Sequence, residues 1–254
     1  MNVYWLEQTG SDVPECADWL SASEETCLDS LRIPKRRADW RLGRWTAKRA
    51  VAAYLNAPEN PRTLANIEIR PASTGAPEVY FGGKPADVSV SISHRSGIAV
   101  CAVTSADVAL GCDLEVIESR SAAFLADYFT TEEQESVARA DTADRPRLVC
   151  LLWSAKESAL KALRTGLRAD TRSVAVHLKA ALLEKGRSGQ DHFEDSTSGC
   201  VQCAADAWQA LQVRSADGQM FQGWWQRTGG LLRTLVSTPP PAPPIPLVAG
   251  QFKL

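Results

Sequence analysis

The chain has 254 residues, of which 44% are hydrophobic and 23% are charged, and its formal net charge is −2. This composition is that of an ordinary globular protein, and the near-neutral charge argues against nucleic acid or a membrane surface as its partner. No apolar run approaches the roughly 20 residues of a transmembrane helix, and the N-terminal segment lacks the basic and apolar regions of a signal peptide. We therefore expect a cytoplasmic protein.

The first half of the sequence predicts one long helix followed by several strands. Residues 29–55 are typical of a loop and an amphipathic helix, which the proline-containing segment NAPENP ends. Strands are predicted at 66–70, 78–81, 88–93, 98–103 and 109–117. In VSVSIS at 88–93, alternation places Val and Ile on one face and the three serines on the other.

The second half of the sequence predicts helices first and strands later. One or two helices are expected over 121–140 and a long helix over 147–164, which contains neither Gly nor Pro. The predicted strands are 173–178, 200–208 and 210–214, and MFQGWWQ at 220–226 is expected to end the folded part. The proline-rich segment that follows predicts an extended appendage.

A short internal similarity suggests two related halves. WTAK at 45–48 is similar to WSAK at 153–156, and each segment lies in a predicted helix that strands follow. We expect two α/β halves with a cleft between them, where ligand sites are common. The predicted boundaries are 1–116, 117–233 and a tail at 234–254.

Seven cysteines are scattered through the chain, an odd number. Cys101 and Cys112 lie in apolar runs, where a thiol behaves as a small hydrophobic side chain. Cys200 and Cys203 form a CxxC pair, but no second pair accompanies them, so a zinc site is only weakly indicated. We expect all seven thiols to be reduced.

Asp113 and Glu115 are two positions apart in a predicted strand, so their side chains share one face. Two carboxylates this close repel each other unless a cation lies between them, and their oxygens suit Mg²⁺. The alternative is a solvated strand end.

Glu157 and Lys161 lie one helical turn apart in the predicted long helix, next to Lys156. On a helix surface such a pair contributes only about 0.2–0.5 kcal/mol. In a site, the carboxylate would complete a metal centre and the two ammonium groups would meet phosphate oxygens.

Two further features allow a solvated or an anion-binding interpretation. His94 ends a strand at a Gly-bearing turn and either is solvated or donates to a phosphate, helped by the Ser93 hydroxyl. Residues 32–49 carry eight basic residues and one acid, Asp39, which gives either a solvated helix face or an anion-binding surface.

Together these segments resemble the signature of the 4′-phosphopantetheinyl transferase superfamily. The resemblance rests on SISHRSG at 91–97, GCDLE at 111–115 and WSAKESALK at 153–161, in that order, and extends over roughly residues 30–180. The length is similar to that of the monomeric, surfactin-synthetase-activating type. The resemblance implies an α+β (α/β) fold in which two similar α/β halves form a pseudo-dimer, with the active site in the cleft.

The resemblance also implies a reaction and its site. Members transfer the 4′-phosphopantetheine group of coenzyme A to a serine of an apo acyl or peptidyl carrier protein and release adenosine 3′,5′-bisphosphate. Mg²⁺, or alternatively Mn²⁺, would be held by Asp113, Glu115 and Glu157. The residues expected to contact CoA are Arg44, Lys48, Lys84, Ser93, His94, Lys156 and Lys161. The residues expected to act in catalysis are His94, Asp113, Glu157 and Lys161, with Glu157, Glu133 or a water on the metal as the general base.

One departure concerns a Gly-Lys/Arg-Pro segment that the family often has ahead of the His motif. The positional match is Gly75-Ala76-Pro77, with Ala in the basic place, whereas Gly83-Lys84-Pro85 stands closer to His94. Either the contact is missing or Lys84 replaces it. The carrier protein presents an acidic helix in this family, and the basic residues expected to steer it are Arg36, Arg37 and Arg41.

Two other functions remain open from the sequence. One is a non-catalytic protein of the same fold that binds CoA or a carrier protein, and the other is a different Mg²⁺-dependent enzyme acting on a nucleotide pyrophosphate. The intact set Asp113, Glu115 and Glu157 argues against the first, because binding alone would not need three carboxylates. The sequence leaves open whether polyketide, peptide-synthetase or fatty-acid carriers are served.

Overall fold

A computed structural model describes residues 1–177 and 207–247. The chain first forms a unit with one long helix on a sheet. Its helices and strands are β1 (Tyr4–Thr9), α1 (Ala22–Ser30), α2 (Pro34–Tyr54), α3 (Pro61–Asn66), β2 (Ile67–Pro71), β3 (Pro77–Phe81), β4 (Lys84–Pro85), β5 (Val88–Arg95) and β6 (Ile98–Ser105). The second unit follows with β7 (Ala109–Val116), α4 (Ala122–Tyr128), α5 (Thr131–Arg139), α6 (Arg145–Ala162), β8 (Val174–His177), β9 (Gln209–Ser215), β10 (Met220–Thr228), β11 (Leu231–Thr238) and β12 (Ile245–Pro246).

The strands form three sheets. The first sheet has the order β12-β1-β6-β5, the second has the order β7-β11-β10-β9-β8, and β2-β3-β4 form a small third sheet. Every neighbouring pair is antiparallel except β12 with β1, which is parallel. Helices on mainly antiparallel sheets make this an α+β fold, as predicted.

The two main sheets lie between the two long helices. Alternation along β6 sends Cys101 and Val103 toward α2, whereas Val100 and Ala102 point toward the second sheet. Leu110, Cys112 and Leu114 of β7 meet them there in a shared apolar cluster. The order of layers is therefore helix, sheet, sheet, helix, and the cleft runs along β5 and β7 at the edges of the two sheets.

The two long helices begin and end for local reasons. Each has a proline in its first turn, where a missing backbone N–H costs nothing. Asn56 follows α2 with a φ of 52°, and Arg164 follows α6 with a φ of 57°. The backbone therefore leaves each helix through the left-handed region. The observed α6, Arg145–Ala162, agrees with the helix predicted at 147–164 to within two residues at each end.

The predicted tail is wrong over residues 234–247, the part of it that the structure describes. Residues 231–238 form β11, which pairs along its length with β7 and β10, so the boundary predicted at 233/234 cuts a central strand. Beyond it, Ile245 and Pro246 add a strand beside β1, and Leu247 is buried in the first core. The prolines do not prevent this, because β12 is an edge strand, where a missing donor is tolerated.

The boundary predicted at 116/117 also differs from the structure. It assigns β7 to the first half, but β7 hydrogen-bonds with β11 in the second sheet. Most of the predicted strand 200–208 lies outside the described residues, and so does the whole Cys200–Cys203 pair. In the described residues the other five cysteines are free, and no helix is long and apolar enough to cross a membrane.

Candidate active site

The site is built where α6 lies directly on β7. A Cβ atom at Gly111 would stand 1.8 Å from the carbonyl oxygen of Ser158, so only glycine permits this approach. Asp113 and Glu115 share the face of Gly111 and therefore point toward α6. The close packing brings their carboxylates to Glu157 and Lys161.

Asp113 is the best-held carboxylate of the site. It is buried, and its Oδ1 accepts hydrogen bonds from Lys161 Nζ and from Ser93 Oγ, each over 2.8 Å. Its Oδ2 is buried and has no hydrogen-bond partner. One oxygen thus fixes the side chain and the other is left for a ligand.

Glu115 is fixed in a similar way. Trp153 Nε1 donates to its Oε1 over 3.1 Å, and the Arg95 guanidinium lies 3.5 Å from its Oε2. Oε2 is buried and has no hydrogen-bond partner. Burial and the neighbouring charge of Asp113 raise the pKa of this carboxyl.

Glu157 reaches the same place from α6. Burial raises its pKa from 4.5 to about 7; Asp113 and Glu115 add to the rise, and Lys161 opposes it. Its Oε1 is buried without a hydrogen-bond partner. The three acids are therefore close enough to influence one another's protonation.

The donors fit a hard divalent cation. Each of the three carboxylates keeps one buried oxygen without a hydrogen bond, and carboxylate oxygens are the ligands that Mg²⁺ prefers. Within residues 1–177 and 207–247, no three His, Cys, Asp or Glu side chains are already arranged around a metal position. The carboxylates therefore suit a divalent cation by the type of their donor atoms, whereas their positions do not yet surround one.

Two serines of β5 fasten the first unit to the second. Ser91 Oγ accepts from the backbone N–H of Cys112 over 2.9 Å, and Ser93 Oγ donates to Asp113. Both serines are buried on the face that the alternation of 88–93 predicted. Side-chain bonds thus replace a backbone ladder between β5 and β7.

A cavity of about 250 Å³ opens between α2 and the end of β5, one residue beyond Ser93. His94 lies in its wall, at the exposed end of β5, and partial burial lowers the pKa of the imidazole. Arg44 lines the same cavity, and its guanidinium lies 4.9 Å from the centre of the Trp40 ring. The structure therefore brings His94 and Arg44, two residues expected to contact CoA, to one cavity.

Residues 109–209, less than half of the chain, match the family model described as the 4′-phosphopantetheinyl transferase superfamily. Over this segment the chain is similar to that superfamily. It contains β7 and α6, and hence Asp113, Glu115, Glu157 and Lys161.

Two solved structures are similar to parts of the chain. A holo-(acyl-carrier-protein) synthase from Bacillus anthracis str. Ames, in complex with CoA (3′,5′-ADP), is 21% identical, with a TM-score of 0.34 over 40% of this chain and 92% of that chain. The holo-[acyl-carrier-protein] synthase of Helicobacter pylori, in complex with coenzyme A, is 17% identical, with a TM-score of 0.33 over 41% of this chain and 98% of that chain. No curated protein matches.

Among the residues expected from the transferase signature, Lys48 and Lys156 are not placed for ligand contact. Both side chains are fully buried. Lys48 Nζ bonds to Glu24 and to two backbone carbonyl groups, and Lys156 Nζ bonds to Glu133 and to two others. The predicted phosphate contacts of these two lysines disagree with the structure, because their ammonium groups are already satisfied inside the core.

Glu133, the weaker candidate for the general base, has the same structural role. It is buried, pairs with Lys156 over 2.8 Å and accepts from the backbone N–H groups of Thr130 and Val176. Glu24 repeats this arrangement in the first unit, where it accepts from Ser21 and Ile69. The predicted similarity of the two halves is thus a shared pattern of buried ion pairs.

Other side chains that were expected to contact CoA or the carrier protein either have partners within the protein or lie away from the cavity. The Ser93 hydroxyl is used by Asp113, so its predicted bond to CoA would have to replace that one. Lys84 is exposed in β4 and does not line the cavity beside His94. In the basic segment, Arg37 and Arg41 donate to backbone carbonyl groups of the preceding residues, and Arg36 is exposed.

The transferase motif also contains residues whose roles the sequence did not predict. Ser154 and Ser158 of α6 both hydrogen-bond to Thr234 of β11, at 2.8 and 2.7 Å, which fixes the helix on the second sheet. Trp153 orients Glu115. Arg70 in the cavity wall was missed as well, because its place depends on how the third sheet packs beside α2.

Proposed function

We propose that the protein transfers the 4′-phosphopantetheine group of coenzyme A to a serine of an apo carrier protein and releases adenosine 3′,5′-bisphosphate. The observation that carries the proposal is that Asp113, Glu115 and Glu157 lie together near Lys161, each with one buried oxygen that accepts no hydrogen bond. These residues lie in the segment that matches the transferase superfamily. A monomer is proposed, because both units contribute to one cleft.

Asp113, Glu115 and Glu157 would hold Mg²⁺ or Mn²⁺ through the oxygens that accept no hydrogen bond. At Glu115 the cation would compete with the guanidinium groups of Arg95 and Arg120. When bound, the cation would neutralise and polarise the pyrophosphate of CoA. Trp153 and Ser93 hold two of the carboxylates in place before any ligand enters. This preorganisation is what electrostatic stabilisation of a phosphoryl transition state requires.

The cations around the site would bind the remaining phosphate charge. The Lys161 side chain is one-quarter exposed, and its ammonium group bonds to Asp113 over 2.8 Å at the site. His94 and Arg44 line the adjoining cavity. A pyrophosphate at the carboxylates and a third phosphate in the cavity would therefore each face a cation.

Glu157 is the better candidate for the general base. In the metal-free site its pKa is about 7, a value suited to a base near neutral pH. When Glu157 is bound to the cation, a water on the metal is the alternative base. Glu133 is excluded from this role by its buried pair with Lys156.

The deciding experiment incubates the protein with CoA, Mg²⁺ and purified apo carrier proteins of the acyl and peptidyl types. A carrier mass gain equal to one phosphopantetheinyl group, abolished by EDTA and restored by excess Mg²⁺, is expected. CoA binding without a mass gain on any carrier would favour the non-catalytic alternative. A pyrophosphate substrate consumed without any carrier would favour the other enzyme.

A further inference from the structure

Two arginines lie beside Glu115 at the edge of the site. Arg95 at the end of β5 places its Nε 3.5 Å from Glu115 Oε2, and Arg120 after β7 places an Nη atom 3.8 Å from it. Neither forms a hydrogen bond with this oxygen, which is buried and has no hydrogen-bond partner. Two positive charges therefore face the Glu115 oxygen that is proposed to bind the cation.

Glu118 holds both arginines more closely than Glu115 does. Arg95 Nη2 donates to Glu118 Oε1 over 2.9 Å, and Arg120 Nη2 lies 3.0 Å from the same oxygen. These distances are in the range of charge-assisted hydrogen bonds, whereas the distances to Glu115 are longer. The Glu118 side chain is 44% exposed and the Glu115 side chain 13%, so the arginines are held by the outer of the two carboxylates.

Arg120 is fixed by an aromatic ring as well. Its guanidinium lies 5.1 Å from the centre of the Phe124 ring, and that ring lies 5.0 Å from the ring of Trp153. Trp153 in turn donates to Glu115 Oε1. A guanidinium that is held by a ring and a carboxylate keeps its orientation. Arg120 is therefore a fixed neighbour of Glu115 and not a freely moving surface charge.

Among the three carboxylates of the site, Glu115 is the one that faces arginines. Asp113 is paired with Lys161, and in the part of the chain that the structure describes neither Asp113 nor Glu157 has an arginine within ion-pair distance. Charges this close interact strongly where water is largely excluded. The affinity of the site for a cation therefore depends on where the two guanidinium groups stay.

We propose that Glu118 is a positioning residue for cation binding at this site. By bonding to Arg95 and Arg120, it leaves Glu115 Oε2 to the cation. Without Glu118, Glu115 is the remaining carboxylate that the described residues place within ion-pair distance of both guanidinium groups, and a cation has to displace them. The inference rests on the proposed function, because it takes Glu115 as a ligand of Mg²⁺ or Mn²⁺.

The test measures Mn²⁺ binding to the full chain at pH 8 from the electron paramagnetic resonance signal of free Mn²⁺, without CoA and again with CoA. For Glu118→Gln we expect Mn²⁺ to bind about fivefold more weakly, because both arginines then bond to Glu115. For the double variant Arg95→Gln/Arg120→Gln we expect binding about fivefold tighter than in the unchanged protein. Glu118→Asp keeps the carboxylate and is expected to restore most of the affinity that Glu118→Gln loses.

A double-mutant cycle separates this role from a general effect of charge. Loss of an acid near the site weakens cation binding whether or not the arginines are involved. Adding Glu118→Gln to Arg95→Gln/Arg120→Gln should change the Mn²⁺ affinity by less than about twofold, since Glu118 then has no arginine to hold. Glu135→Gln, which removes the acid of an exposed ion pair in α5, is the matched control and should leave the affinity unchanged.

Three outcomes would overturn the inference while the proposed function stands. They are unchanged Mn²⁺ affinity in Glu118→Gln, weaker binding in Arg95→Gln/Arg120→Gln, and a loss from Glu118→Gln that is equally large with and without the arginines. If the unchanged protein binds no Mn²⁺, even with CoA, and modifies no carrier, the proposed function fails first. The thermal unfolding midpoint of each variant, measured without a cation, reports that the variant is folded.

Discussion

Ser93 donates a hydrogen bond to Asp113 across 2.8 Å, and this bond joins β5 of the first sheet to β7 of the second. The same Asp113 oxygen accepts from Lys161 of α6. One carboxylate oxygen therefore connects three elements from both halves of the molecule. The proposed metal ligand is also a structural joint of the cleft.

Asp113→Asn is expected to lower the rate of carrier modification at least 100-fold, because an amide is a poor ligand for Mg²⁺ and cannot balance Lys161. Its shape is retained, so the thermal unfolding midpoint should change by only a few degrees. The rate is measured by mass spectrometry of the carrier. Asp127→Asn, at an exposed acid of α4, is the control. Full activity of Asp113→Asn would remove the assignment of Asp113 as a metal ligand.

Cation affinity is expected to increase with pH through about 7. Glu157 must lose its proton to bind a cation, and its raised pKa keeps it largely neutral at pH 6 and largely ionised at pH 8. The expected gain is about tenfold between these two pH values. Calorimetric titration with Mg²⁺ or Mn²⁺ measures it, and Glu157→Gln should flatten the dependence. A dependence that is equally steep in Glu157→Gln would assign the proton to another group.

The stability of the metal-free protein should carry the opposite pH signature. The pKa of Glu157 is about 7 in the folded state and near 4.5 when unfolded, so the folded state binds more protons between these values. The contribution of Glu157 is therefore favourable below pH 4.5 and is lost as the pH rises to 7. Glu157→Gln should be about 1–3 kcal/mol more stable than the parent protein at pH 8. Urea unfolding at pH 5 and 8 checks this, and a variant that is less stable at pH 8 would contradict it.

Lys156→Met is expected to destabilise the protein by about 3–5 kcal/mol, because it leaves the buried carboxylate of Glu133 without its partner. Lys48→Met, which does the same to Glu24, should have an effect of similar size. Chemical denaturation measures both. The folded fraction of Lys156→Met should bind CoA with nearly unchanged affinity. A stable variant that has lost CoA binding would restore Lys156 as a ligand residue.

Gly111→Ala is expected to destabilise the protein by more than about 2 kcal/mol and to reduce transfer. The added methyl group would collide with the α6 backbone and move Glu157 and Lys161 away from Asp113. Gly10→Ala, at a position with open space around it, should leave the unfolding midpoint unchanged. Equal stability of the two variants would show that α6 can move from β7 without cost.

The site could be predicted in part because its polar residues stand at fixed spacings. Asp113 and Glu115 share a face through the two-residue repeat of a strand, and Glu157 and Lys161 through one turn of a helix. The prediction did not distinguish Lys156 from Lys161, although both belong to one motif. A side chain's surroundings depend on the neighbouring elements, and only the packing of α5 beside α6 shows that Lys156 has a buried carboxylate partner.

The sheets were predicted less completely than the site. The predicted boundary at 233/234 falls inside β11 because the sequence of this strand, LLRTLVST, is followed directly by prolines, which indicated the end of the fold. Its pairing with β7 joins residues more than a hundred positions apart, which no local pattern reports. Arg70 was missed for the same reason, since it lines one cavity with Arg44 only after the third sheet has packed.

The two long helices, α2 and α6, can be compared position by position. Counted from Trp45 and Trp153, the places of Glu157 and Lys161 on α6 correspond to Arg49 and Ala53 on α2. Arg49 is engaged with Glu59 at 2.6 Å, and Ala53 is buried in the first core. The buried pair of Lys48 and Glu24 on the α2 side has its counterpart in Lys156 and Glu133 on the α6 side. At the two compared positions, the acid and the lysine of the site occur on α6 and not on α2. The two halves therefore share a buried ion pair and differ at the positions that carry the charged side chains of the site.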